Sequence, residues 1–349
     1  MKSTRFIVLA LFVLTTVCVQ ADGIRIEPFT LAANEEMDIE ILLDNNTDYG
    51  GLQFDLYLPD GVSIVEDEYG FYYENTERLK YKKGRNTVDF NMTVELQSDG
   101  GYRFLIYNSD GQNISGLSGE AILTVRLTAN DHVRSSTQQI RVKQQVLSTV
   151  DAEETTVPDS SFPFSLTVRA KVGTLGYATF SWPVALDFTG LSVTAFIATE
   201  RSNGSLHLEP VEKVPAGTGL ILKGEQGTYT LQTTYEEGED VSSNLLLGTA
   251  DGDMTVQSDD VYVLANKNEG LGFYRAANGL LIYQYKAYLQ SASGVRAMFF
   301  DETPTGISAV SEETESPIYT LEGLRVKTPT RTGLYIKGGK VVVVKCGKK

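Results

Sequence analysis

Leu52-Gln53-Phe54-Asp55-Leu56-Tyr57-Leu58, followed by Pro59-Asp60-Gly61, decides how this chain folds. Leu52, Phe54, Leu56 and Leu58 fall on one side of an extended backbone, and Gln53, Asp55 and Tyr57 fall on the other. Alternation of this kind marks a strand with one face on a core and the other in water. Pro59-Asp60-Gly61 supplies the turn that ends it. The pattern recurs upstream, where Met37, Ile39 and Ile41 alternate with Asp38 and Glu40. It recurs downstream, where Leu123, Val125 and Leu127 oppose Thr124, Arg126 and Thr128. Asp99-Gly100-Gly101 and Asp110-Gly111 add turns, and no stretch carries a helical stripe. Short strands punctuated by turns imply an all-β fold, with a β-sandwich over residues 22–168.

Beyond the sandwich, residues 151–163 read as an acidic, proline-containing loop before a last strand, Phe164 to Val168. A second β-rich module is expected over 172–302. Its strand-like runs include Tyr177 to Ser181, Val193 to Ile197, Leu220 to Lys223, Val261 to Leu264 and Gly272 to Arg275. Two hairpins are expected in it, one turning over Gly224 to Gly227 and one over Asn266 to Gly270. Residues 303–317 are a polar linker. The tail, 318–349, ends in a hairpin whose Gly338-Gly339 can take the positive φ angles of a two-residue turn.

The 349 residues carry 45 acidic and 30 basic side chains, a net charge of −15, which argues against a nucleic-acid partner. Lys2 and Arg5 precede an apolar run, Phe6 to Val19, too short for a membrane helix of about 20 residues. With Val19-Gln20-Ala21 as cleavage site, residues 1–21 read as a signal peptide for export to the extracellular space or outer-membrane surface. Acylation of Cys18 is the rival reading, and Val17 before it fits that poorly. No later stretch has transmembrane length. Loss of Cys18 leaves Cys346 alone, so no intramolecular disulfide forms and packed cores must supply stability.

Catalytic signals are sparse. The two histidines, His132 and His207, lie far apart in sequence, and there is no HExxH, G-x-S-x-G or P-loop pattern. Carboxylates abound, yet no motif singles out a glycosidase pair. No cofactor is called for. Calcium has a partial match at Asp251, Asp253 and Asp259, but counting from Asp251 puts Thr255 at position 5 and Tyr262 at position 12 of the loop. The most suggestive binding stretch is Glu66 to Asn75, where Tyr69, Phe71, Tyr72 and Tyr73 stand among Glu68 and Glu74. Aromatic faces stack on sugars or partner side chains, and the same rings can plug the end of a sandwich. Tyr283, Tyr285 and Tyr288 read as strand packing.

Two segments carry a family resemblance. "LAANEEMDIEILLDNNTDYGGLQFDLYLPDGVSIVE" (31–66) resembles the opening of a cohesin domain, and "GYRFLIYNSDGQNISGLSGEAILTVRLTA" (101–129) is similar to a later cohesin segment. The resemblance implies a cohesin-like jelly-roll sandwich that binds another protein through a sheet face. In the middle region, "GYATFSWPVALDFTGLSVTAFIAT" (176–199), "VPAGTGLILKG" (214–224), "NLLLGT" (244–249) and "YVLANKNEGLGFYRA" (262–276) resemble a β-rich module of exported Bacteroidetes proteins, which implies no activity. The tail, with Tyr319, Gly323, Gly333, Tyr335 and Lys340, resembles the C-terminal sorting signal of the type IX secretion system, though it is short and runs on to Lys349. The expectation is a non-catalytic exported protein whose partner is another exported protein. The alternative is a polysaccharide binder, and a glycosidase comes third.

Overall fold

In the computed structural model, residues 22–66, 70, 72, 79–83, 86–114, 120–200, 205–291, 294–300, 318–320, 325–326, 333–337 and 340–344 are described. Every helix-or-strand element among them is a strand, so the chain is all-β. The opening heptad forms β4 (Gly51–Tyr57), with Leu52, Phe54 and Leu56 buried and Gln53 and Tyr57 half-buried. It lies between β10 (Ser136–Ser148) and β8 (Tyr102–Tyr107). β7 (Asn86–Leu96) and β6 (Leu79–Lys83) continue that sheet on one side. β12 (Ser160–Val172) continues it on the other, with β11 (Glu154–Val157) paired to β10 and β2 (Thr30–Ala32) paired in parallel to β12. The facing sheet runs β1 (Gly23–Arg25), β3 (Glu36–Asp44), β9 (Glu120–Ala129), β5 (Val62–Ile64), all antiparallel. Between the sheets pack Ile39, Ile41, Val125 and Leu127 from one layer and Leu52, Phe54, Phe104 and Ile140 from the other, a β-sandwich.

The last sandwich strand does not stop at Val168. β12 pairs with β10 over residues 160–166 and then with β19 (Gly227–Thr233) over residues 168–172. The boundary expected between the two β-rich regions thus falls inside one 13-residue strand. The alternation explains this: Phe164, Leu166, Val168, Ala170 and Val172 are all buried on one face and belong to one continuous core. β14 (Leu186–Asp187) and β17 (Lys213–Val214) extend the long sheet past β19.

A nine-stranded sheet completes this part of the chain. Its order is β13 (Tyr177–Phe180), β18 (Leu220–Lys223), β15 (Thr194–Glu200), β16 (Ser205–Val211), β26 (Ala297–Phe300), β23 (Gly270–Arg275), β22 (Val261–Lys267), β25 (Ala287–Gln290), β20 (Leu246–Gly248). Its ends curl together, and Leu247 bridges Thr218 next to β18. Inside the curl sit Ile221, Leu246, Tyr262, Phe273, Leu289 and Met298. A two-stranded piece, β21 (Met254–Thr255) with β24 (Leu281–Ile282), covers a third small cluster around Val256 and Val261.

The expected hairpin over 266–270 is present, with Lys267 opposite Gly270. The one over 224–227 is not: β18 pairs with β13 and β15, whereas β19 pairs with β12 and β14. Leu220, Ile221 and Leu222 are all buried, which requires an interior strand with packing on both faces. Gly227–Thr233 alternates and so lies on a half-covered sheet. The segment between them is a corner between sheets.

The chain divides into two compact units, Met1–Asp301 and Glu302–Lys349. In the second, β27 (Ile318–Thr320), β28 (Arg325–Val326), β29 (Gly333–Lys337) and β30 (Lys340–Val344) form an antiparallel sheet in the order β28-β27-β29-β30. Lys337 pairs with Lys340 in the register of β29 and β30, and the turn expected at Gly338-Gly339 lies outside the described residues. No helix among the described residues is long and apolar enough to cross a membrane.

Because the core is continuous, the first unit is expected to unfold as one. Phe164, buried and stacked on Phe29 at 4.7 Å, lies in the sandwich half. The only tryptophan, Trp182, lies in the other half. Phe164→Ala should cost about 3–5 kcal/mol. The urea midpoint followed by Trp182 fluorescence should fall with it, and an unmoved midpoint would show two independent folding units.

Candidate functional site

The two outer faces of the sandwich differ in kind. On the β3–β9 face, Asp38, Glu40, Thr124, Arg126 and Thr128 point outward, and Arg126 is spent on a fork to Asp38 at 2.6 and 3.0 Å. This is a solvated, self-paired surface. On the opposite face, β10, β4, β8 and β7 present Gly51, Gln53, Asp55 and Tyr57 down the middle. Arg103, Leu105 and Tyr107 stand on one side, and Arg141, Lys143 and Val146 on the other.

One end of that face is a groove of about 670 Å³. Its floor is Gly51, which stands between Tyr107 and Ser148 and puts no side chain over the backbone. Its walls include Leu105, Tyr107, Val146 and Val150, and three of these are large apolar side chains left open: Leu105 at 42%, Tyr107 at 43% and Val150 at 48% exposure. Glycine inside a strand often marks close approach by a ligand or another backbone. A bulge in β10 between Lys143 and Val146 sets the walls. Gln144 takes a φ of 52° there, and Gln145 turns inward. Its carbonyl oxygen accepts from the Ile24 amide at 2.9 Å, and its amide nitrogen donates to the Pro158 carbonyl at 2.9 Å. The extra residue lets Val146 face outward beside Gln53.

The other end is aromatic and cationic. The Tyr57 ring lies on Gly101, where a Cβ would come within 2.8 Å of it. The Tyr57 hydroxyl donates to Asp99 at 2.7 Å, and Asp99 also accepts from the Gly101 amide at 3.2 Å. Lys143 Nζ sits 4.9 Å and the Arg141 guanidinium 5.6 Å from the ring centroid. Arg103 holds the buried Asp55 carboxylate in a two-point fork at 2.8 and 2.7 Å. The hydrogen bond to Asp99, followed by burial, pushes the Tyr57 hydroxyl above its ordinary value. The same bond holds the Asp99 carboxyl below its own. Donation to Asp55 raises the Arg103 guanidinium further, so it is charged throughout.

Of the aromatic stretch expected to bind, Tyr72 is described. It is half-buried and bridges Glu66, with its ring edge-on to Tyr102 at 5.2 Å, so it packs at the sandwich rim. Glu68, Tyr69, Phe71, Tyr73 and Glu74 lie outside the described residues. Of the calcium candidates, Asp253 accepts from the Gln284 amide at 2.7 Å, while Asp251 and Asp259 are exposed. The neighbouring Asp260 accepts from Ser258 and, at 2.9 Å, from Gln290. Among the described residues no three His, Cys, Asp or Glu side chains gather as a metal site. In the tail, Tyr319, Gly333, Tyr335 and Lys340 fall on strands and Gly323 lies outside the described residues. Tyr285, expected to pack in a strand, sits instead in a turn with a φ of 63°. Its ring lies 4.6 Å from Trp182 and its hydroxyl donates to Asp131 at 2.8 Å. The groove itself had one sequence signal, the paired glycines 50 and 51 ahead of an alternating strand.

No protein-family model matches the chain, and no curated protein matches it. Solved structures do. A non-cellulosomal cohesin from Archaeoglobus fulgidus matches at 11% identity and a TM-score of 0.30, over 42% of this chain and 91% of that one. A cohesin module from a Clostridium perfringens family 33 glycoside hydrolase matches at 10% identity and 0.32, over 42% and 96%. A type II cohesin domain from the cellulosome of Acetivibrio cellulolyticus matches at 13% identity and 0.29, over 41% and 94%.

Asp99→Asn should bring the Tyr57 hydroxyl back toward its ordinary 10.0, because the phenolate would no longer form against a carboxylate. NMR titration of ring-labelled tyrosine reads this directly. In the wild type the depressed Asp99 favours the folded state above the ordinary carboxylate range, and that contribution is lost as pH falls through its lowered value.

Proposed function

We propose that this chain is a non-catalytic, exported binding protein that docks another protein on the outer face of β10, β4, β8 and β7. The observation that carries the reading is the contrast between the two outer faces of the sandwich. One is a solvated, acidic surface whose outward arginine is held by Asp38, and the other offers a bare-floored groove walled by exposed Leu105, Tyr107 and Val150. An open apolar patch beside polar groups is the surface chemistry of a protein-interaction site. The cohesin-like residues of segments 31–66 and 101–129 support the same reading, since β4 and β8 lie in them. Export rests on the leader over residues 1–21 and on the sorting-type tail over 318–349.

Gly51 gives a clean test. A Cβ there would stand 3.4 Å from the Ile106 carbonyl and 3.8 Å from the Tyr107 Cβ, and the backbone is in the ordinary extended region. Gly51→Val should therefore fold with an unchanged Tm and fill the groove. In pull-downs of exported proteins from the source cells, the variant should retain its specific partner roughly tenfold less well, about 1.4 kcal/mol. Equal retention by both forms, or none by the wild type at any salt, would remove this face as the site. Deleting residues 316–349 should leave the protein inside the cell envelope, as surface proteolysis would show. Unchanged surface delivery would make the tail an ordinary structural element.

A further inference from the structure

The docking face has a charge pattern that says what kind of segment it takes. This chain carries a net charge of −15, so an acidic partner is repelled at long range unless a local field invites it. On the β3–β9 face the outward arginine is consumed, Arg126 by Asp38. On the docking face Arg103 is likewise consumed, by Asp55. Arg141 and Lys143 are different. Among the described residues neither makes an ion pair, and both flank the Tyr57 ring. A ring face orients a cation without cancelling its charge, so its carboxylate-binding capacity is kept. The ring is itself fixed, held on Gly101 and tied to Asp99. The two cations therefore need little ordering when a carboxylate arrives.

The groove, with its exposed Leu105, Tyr107 and Val150, and this cation pair lie on one line. Lys143 stands opposite Asp55, and Ser148 stands opposite Gly51. Asp55 lies four strand residues from Gly51, roughly 14 Å at about 3.4 Å per residue, and Tyr57, opposite Arg141, lies six residues from it, roughly 20 Å. We infer, resting on the docking reading above, that the partner presents an acidic segment. One branched or unbranched aliphatic side chain seats on Gly51, and carboxylates about 14–20 Å away meet Lys143 and Arg141. The anchor and the acids are then about four to six residues apart in an extended partner and about nine to thirteen apart in a helical one, at about 1.5 Å rise. The groove contributes the held contact, and the cation pair sets the encounter rate and rejects basic competitors.

The probe is a library of random peptides displayed on phage, selected on the full chain and counter-selected on Gly51→Val. Retained peptides are expected to be net acidic, with an aliphatic residue at one of the two spacings. An enriched peptide, synthesised and titrated, should bind the folded Arg141→Glu/Lys143→Glu variant at least roughly tenfold more weakly, and should weaken as salt rises. Peptides that depend on Gly51 but are neutral or basic, or that bind the double variant as well as the wild type, overturn the acidic segment and leave the docking face standing. A selection in which no peptide distinguishes the wild type from Gly51→Val overturns the docking face itself.

Discussion

One side of one strand holds the first unit together. Phe164, Leu166, Val168, Ala170 and Val172 alternate down β12 and face the same way, so the first two close the sandwich and the last three close the core beneath β15 and β18. Each of the four larger side chains, Phe164, Leu166, Val168 and Val172, contributes about 1.5–3 kcal/mol by leaving water. A single charge introduced on that face would open both halves. Polar contacts across the junction add direction to this adhesion. Arg134 donates to the Thr234 carbonyl at 2.6 Å, Ser135 donates to Leu231 at 3.0 Å, and Tyr285 reaches Asp131. Residues 131–135 lead directly into β10, so the second half of the unit sets the position of a strand that carries the docking face.

That face depends on three local departures from a regular sheet. The β10 bulge turns Gln145 inward and Val146 outward, Gly51 removes a side chain from the middle strand, and Gly101 lets Tyr57 lie flat. None of them is an apolar-burial device, and Gly51 costs strand stability, since glycine in a strand gives up packing. The buried Asp55 is tolerated because Arg103 answers it with two hydrogen bonds, and removing that arginine alone would strand a carboxylate away from water.

Period-two alternation made β3, β4 and β9 legible, because each writes its covered face into the sequence, whereas the hairpin of β22 and β23 was legible from its turn residues, Asn266 to Gly270. Leu220 to Leu222 misled for the opposite reason. A strand covered on both faces has no alternation to read, and its neighbours β13 and β15 are distant in sequence. The continuation of β12 through Val172 was visible as alternation, but only the β19 pairing gives it meaning. The docking face was legible in parts. Tyr57 and Asp55 read as the outward side of β4, whereas their juxtaposition with Lys143 and Arg103 comes from registers between segments about 50 and 90 residues apart. Tyr72 drew notice by composition alone, and its ring is taken up by Tyr102.

The two glycines of the docking face stand under unequal constraint. At Gly101 any side chain would collide with the Tyr57 ring, so that position is closed to variation as long as the ring lies there. At Gly51 the neighbouring atoms leave room for a Cβ, so replacements of graded size change the depth of the groove while the strand survives. Position 51 is thus a place where descendants of one ancestral chain can drift apart in whom they recognise without drifting in fold.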